Sequence, residues 1–99
     1  MFHKRSRPAL TRMNADGFSP LMLAAGNENP EAIPPLVAAG ADLEVRDRQG
    51  LTAYLHAAVA GNRQAANLLL IAGADKDARD PAGLGAKEIA LGCGHDWPL

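Results

Sequence analysis

Apolar residues along the chain fall into short runs with helical spacing, punctuated at regular intervals by glycine, asparagine and aspartate. The first run, Leu21 to Ala25, follows Ser19-Pro20, a hydroxyl N-cap with proline at the first helical position, and Gly26-Asn27 ends it. Asn29-Pro30-Glu31 reads as the cap, proline and acid start of a second helix, the acid being suited to the positive end of the helix dipole. Pro34-Pro35 then falls where that helix should be under way. An interior proline costs about 3 kcal/mol through a lost N–H bond and a ring clash. Either the helix starts late, with the prolines in its first turn and Leu36 to Ala39 following, or it is kinked. Both predict a shortened or distorted element.

The next pair is better formed. Thr52 caps a helix from Ala53 to about Ala60, closed by Gly61; Asn62 caps another, Arg63 to Ala72, stopped by Gly73. Ala65, Ala66, Leu68, Leu69 and Leu70 supply the apolar face of that second helix, small and large residues alternating as close packing on both sides requires. A last helix is predicted over about Ala86 to Leu91, before Gly92-Cys93-Gly94-His95.

These runs repeat. Gly40-Ala41-Asp42-Leu43-Glu44-Val45-Arg46-Asp47 returns 33 residues later as Gly73-Ala74-Asp75-Lys76-Asp77-Ala78-Arg79-Asp80, and the same offset links Gly17, Gly50 and Gly83. A fixed period of this length signals stacked supersecondary units. The period and the letters resemble the ankyrin repeat: Ser19-Pro20-Leu21-Met22-Leu23-Ala24 is similar to that family's T-P-L-H-x-A signature. Thr52-Ala53-Tyr54-Leu55-His56-Ala57 is similar to it with three replacements, His56 falling at the x rather than at the family's histidine. The resemblance implies an all-α solenoid of about two and a half repeats: a basic segment 1–9, then a half-finger 10–16, repeat 1 over 17–49, repeat 2 over 50–82 and a partial capping repeat over 83–99. In that register Gly94-His95 matches the pair that opens a second helix. At least three repeats are ordinarily needed to hide a continuous core, so an exposed apolar end is expected, with Trp97 and Leu99 as candidates to fold back over it.

Composition narrows the function. With 47% hydrophobic and 21% charged residues, the chain reads as soluble and globular, and no apolar run approaches the roughly 18–20 residues of a membrane span. The single cysteine, Cys93, excludes an intrachain disulfide and fits a reducing compartment; with no secretory signal pattern in the sequence, cytoplasmic is the default expectation. Net charge is -1, yet Lys4, Arg5, Arg7 and Arg12 meet no acid before Asp16. That start could touch nucleic acid or anionic lipid, but the acidity of the rest argues against both, and a solvated terminus is the simpler reading.

Candidate chemistry is sparse. Cys93, His95 and Asp96 could ligate zinc or arm a thiolate, but no second ligand pair or oriented base accompanies them, so they read as a small thiol and a helix-opening histidine. Asp42, Asp47, Asp75, Asp77 and Asp80 read as turn formers whose carboxylates cap backbone N–H groups, and they lack EF-hand spacing. His56 reads as a half-buried packing residue. The glycines follow the repeat period, not a phosphate-binding pattern. No enzyme, cofactor or metal is expected.

The resemblance implies a non-catalytic module that binds a partner protein through its concave side, formed by finger tips and first helices. Carried over by register, that side comprises Phe18, Leu51 and Leu84 as an apolar row, Arg46, Arg48, Gln49 and Arg79 at the tips, and Val59 with Ala60, Gly26 and Asn27 on the helices. Apolar anchors flanked by arginine combine buried area with directional bonds. The competing reading tucks the leucines under the fingers and pairs the arginines with neighbouring aspartates. The alternative function is self-association through the open C-terminal end at Trp97 and Leu99, as a homo-oligomer or as part of a longer array.

Overall fold

A computed structural model describes residues 13–27 and 29–97. The basic segment with Lys4, Arg5, Arg7 and Arg12, the first residues of the half-finger and Leu99 lie outside the described residues. Five α-helices and no strand are present among the described residues: α1 (Pro20–Gly26), α2 (Ile33–Ala38), α3 (Ala53–Ala60), α4 (Arg63–Ile71) and α5 (Ala86–Gly92), with a 3-10 helix at Pro30–Ala32 leading into α2.

Local chemistry starts each helix. The Ser19 hydroxyl accepts from Met22 N at 3.3 Å, and Ser19 N donates to the Met22 thioether at 3.3 Å, a reciprocal box in which sulfur replaces the usual Glu or Gln. Thr52 accepts from Leu55 N, Asn62 accepts from Ala65 N, and at α5 the Glu88 carboxylate takes Gly85 N at 2.9 Å. The prolines act as expected. Pro34 and Pro35 occupy the first turn of α2, where a missing N–H costs no helical bond, and the segment before them tightens into the 3-10 helix instead of one straight helix from Pro30.

The helices stack in an order that places α3 between α1 and α5, with α4 behind it and α2 beside α4. Leu21, Leu55 and Leu69 are the large residues at the centre, and Ala25, Ala57, Ala58, Ala65, Ala66 and Ala90 are fully buried between them. Alanine at these contacts lets backbones approach closely, while each buried leucine contributes about 1.5–3 kcal/mol. On α4 the buried face is narrower than the sequence pattern predicts: Ala65, Ala66 and Leu69 are buried, but Leu68 and Leu70 are half-buried. Leu68 faces a recess that it shares with Ile33, Pro34 and Val37 of α2, and Ile71 at its edge is exposed.

Among the described residues after α5, it is a side chain, that of Trp97, that packs back on the stack. Trp97 is 3% exposed, its ring 6.2 Å from that of Tyr54 at 63°. Burial pushes the Tyr54 hydroxyl up, opposed by its hydrogen bond with Trp97 and reinforced by the Asp77 charge. His95 opens no helix. Its main-chain N donates to Ala90 O at 2.8 Å and its ring Nε2 donates to Val59 O at 3.0 Å. The ring lies on Gly61, where a Cβ would come within 2.5 Å of it, so α3 must end in glycine for this strap to seat.

Candidate functional site: fingers and concave groove

Three turns recur along the fingers. Asn14, Asp47 and Asp80 each turn a side-chain oxygen onto two backbone N–H groups: Asp16 and Phe18, Gln49 and Leu51, Ala82 and Leu84. Gly17, Gly50 and Gly83 complete the turns at φ +86°, +81° and +87°, a region glycine enters without steric cost. Asp42 and Asp75 do similar work for Glu44 N and Asp77 N. The capping role expected of these acids therefore holds for Asp42, Asp47, Asp75 and Asp80, while no such bond is seen from Asp77.

The arginines at the tips bond to main chain. Arg46 Nη1 donates to Gly50 O in its own finger at 2.6 Å and to Arg79 O in the next at 2.7 Å. Arg48 Nη2 donates to Ala15 O of the finger before, at 2.8 Å, and Arg79 Nη1 to Gly83 O of its own. In place of the expected pairing with neighbouring aspartates, these guanidiniums donate to main-chain carbonyls. The side chain of Arg48 also covers Gly17, and Pro81, one period later, covers Gly50.

Behind the fingers, Phe18, Leu23, Gly26, Asn27, His56 and Val59 line a groove of about 240 Å³ along the exposed side of α1 and α3. Leu23 is 36% exposed and Val59 40%, which makes its walls accessible apolar surface. The structure thus brings Phe18 and Val59 together. Leu51 is half-buried against the core; Leu84, Arg46, Arg48, Gln49 and Arg79 are exposed on the fingers.

His56 connects groove and finger. Its Nε2 lies 2.8 Å from Asp47 Oδ2, with the histidine side chain 15% and the aspartate 1% exposed, and its ring stands perpendicular to that of Phe18 at 5.5 Å. Burial alone would push the Asp47 carboxyl up. Hydrogen bonds from Leu51 N, His56 and Gln49 N, with the attraction of His56, outweigh burial and hold the carboxyl below its ordinary value. Sequence reasoning left Leu23 out of the candidate binding residues and saw His56 only as packing, yet both line the groove. The available signal was their common register: 33 residues apart, both at the x of the signature, they must face the same way once the units stack.

No group of three or more His, Cys, Asp or Glu among the described residues is arranged to hold a metal ion, and no described helix is long and apolar enough to cross a membrane. Helix pairs joined through glycine turns, stacked in one direction and braced finger to finger, define a helical repeat protein. A family model for ankyrin repeats, in three copies, matches residues 3–80, and the chain belongs to that family. The matched span begins before the described residues and ends before α5. No curated protein matches the chain. Ankyrin repeats are generally protein–protein interaction modules, and the family is typically non-catalytic.

Proposed function

We propose that the chain binds a partner protein through its concave side, with the groove between Phe18, Leu23 and Val59 as anchor site. The finger residues Arg46, Arg48, Gln49, Leu51, Arg79 and Leu84 form the rim. The observation that carries this reading is the groove itself: accessible apolar walls backed by a rigid helix pair, beside guanidiniums whose bracing bonds preorganise the rim. The units are taken as 17–49, 50–82 and a capping portion 83–99, in a cytoplasmic setting.

The experiment is photo-crosslinking from position 59, with exposed Asn67 on α4 as the control position. A partner protein captured at 59 but not at 67, and lost in Val59→Arg with the helical signal unchanged, supports the groove. Equal capture at both positions, or capture undiminished by Val59→Arg, removes it. A second reading, self-association through the C-terminal end, draws on exposed Leu91 of α5. Mass rising with concentration in sedimentation supports it, and a constant monomer mass excludes it.

A further inference from the structure

We propose that the groove receives an aromatic side chain of the partner carrying a hydrogen-bond donor at its tip, tryptophan or tyrosine, and that His56 Nδ1 accepts that donor. The proposal rests on the reading that the concave groove is the protein-binding face.

The tautomer of His56 follows from its partner. Asp47 Oδ1 takes two backbone N–H bonds and Oδ2 faces the ring at 2.8 Å, so the carboxylate acts as acceptor on both oxygens. Nε2 must carry the hydrogen, and in the neutral ring Nδ1 is left as a bare acceptor. Every buried polar side-chain atom among the described residues has a partner, whereas Nδ1 makes no hydrogen bond; it is therefore reached by solvent, on a residue that lines the groove. An acceptor on a residue that lines an apolar groove selects what enters. A partner carboxylate or carbonyl would set lone pair against lone pair. An aliphatic side chain would take Nδ1 out of solvent and return no donor, which costs affinity. A lysine donates, but its compact charge is expensive to desolvate against Leu23 and Val59. A small hydroxyl leaves most of the 240 Å³ unfilled. An aromatic ring with one donor covers the apolar walls and satisfies the nitrogen, at low entropic cost for its area. Gly26 helps: a Cβ placed there meets nothing within 4 Å, so its surface is open space on that wall.

Protonation reverses the polarity, since imidazolium donates from both nitrogens. The charged and titratable groups on elements around α3 are Asp16, Arg46, Asp47 and Arg48 on the fingers, Asp77 near Tyr54, Glu31 beside Ala60 and Gly61, Arg63 on α4, Lys87 and Glu88 on α5, and His95 on Val59 O; α1 has none. Of these, Asp47 alone pairs with the ring.

Indole and N-methylindole, alike in ring and differing at the donor, test this by NMR titration of the full chain. Indole is expected to move the methyl resonances of Leu23 and Val59 and the Nδ1 resonance of His56, binding about threefold to tenfold more tightly than N-methylindole. That preference should vanish at a pH where the His56 ring resonances report protonation. Equal affinity of the two probes at neutral pH overturns the acceptor role, as does a preference unmoved by protonation. Probes that leave the Leu23 and Val59 methyls unmoved overturn the aromatic anchor. In that case crosslinking from position 59 still decides the concave-side reading by itself.

Discussion

Arg46 and Arg79 hold the same place in successive fingers, and the guanidinium of the first donates to the main-chain carbonyl of the second at 2.7 Å. A residue that sequence register marks as a surface contact is thus also a brace between repeats, with Gly50 O at 2.6 Å as its second acceptor. Arg46→Gln should lower unfolding free energy by about 1 kcal/mol in urea denaturation. Arg79→Gln, whose guanidinium reaches only Gly83 O of its own finger, should cost less. Equal effects would mean that the bridge between fingers contributes nothing.

Glycine at position 50 answers to two demands, and position 83 separates them. Both have positive φ, but a Cβ at 50 would fall 2.5 Å from Pro81 Cγ, while one at 83 meets nothing within 4 Å. Gly83→Ala should cost about 1–2 kcal/mol, the strain of a left-handed backbone. Gly50→Ala should cost clearly more in the same thermal or chemical denaturation, the difference measuring how tightly the two fingers stack.

Acid should loosen the second finger. The folded-state carboxyl of Asp47 titrates below its unfolded value, so its contribution to stability is complete above the unfolded value, ordinarily about 3.9, and is lost as pH falls through the lower, folded one. Stability measured from pH 6 down to about pH 2 should therefore fall through that window. Asp47→Asn, which keeps the turn acceptor that Asn14 supplies in the finger before, should flatten the fall while lowering stability at neutral pH. An unchanged acid limb would show that ionisation of the Asp47 carboxyl does not couple to folding.

Trp97 is the only tryptophan in the chain and is buried with its ring against that of Tyr54. Trp97→Ala should destabilise by about 3–5 kcal/mol, as expected for a buried aromatic, and intrinsic fluorescence of the parent chain should report the end cap opening. If the fluorescence change precedes loss of the helical signal on heating, the cap frays before the stack.

Leu55, with no exposed surface, lies on α3 between its two neighbours. Leu55→Ala should cost about 2–5 kcal/mol, a large part of the stability of a chain this size, and urea denaturation should show α1 and α5 lost together with α3. A small cost would indicate that the alanine-rich stack collapses around the vacancy.

The helices, their caps, the proline-shortened α2 and the finger turns were legible because each depends on residues within a few positions: a hydroxyl three residues before an N–H, an aspartate two and four residues before the groups it caps, a glycine at positive φ. Period supplied the rest of the fold, since units that echo at 33 residues bury little alone and must stack. Of the residues lining the groove, Phe18, Gly26, Asn27, Val59 and Ala60 were named from register. Leu23 and His56 were not, although their shared register pointed to them, because each read singly passes for a packing residue.

What only the tertiary structure decided is which atoms meet across the stack. The contacts of Arg46 with Arg79 O, Arg48 with Ala15 O, Pro81 with Gly50 and His95 with Val59 O join residues some 31 to 36 positions apart, and their pairing depends on the rise and rotation between units. The choice of His56 by Asp47 depends likewise on how the second finger folds back over α3. Sequence determined that there would be fingers, helices and a repeating register, because those are set by local bonds and by the need to bury an apolar face. The stacking geometry decided which surface residues became braces and which were left to line a groove, because a side chain of a few ångströms' reach bonds only what packing brings within that distance.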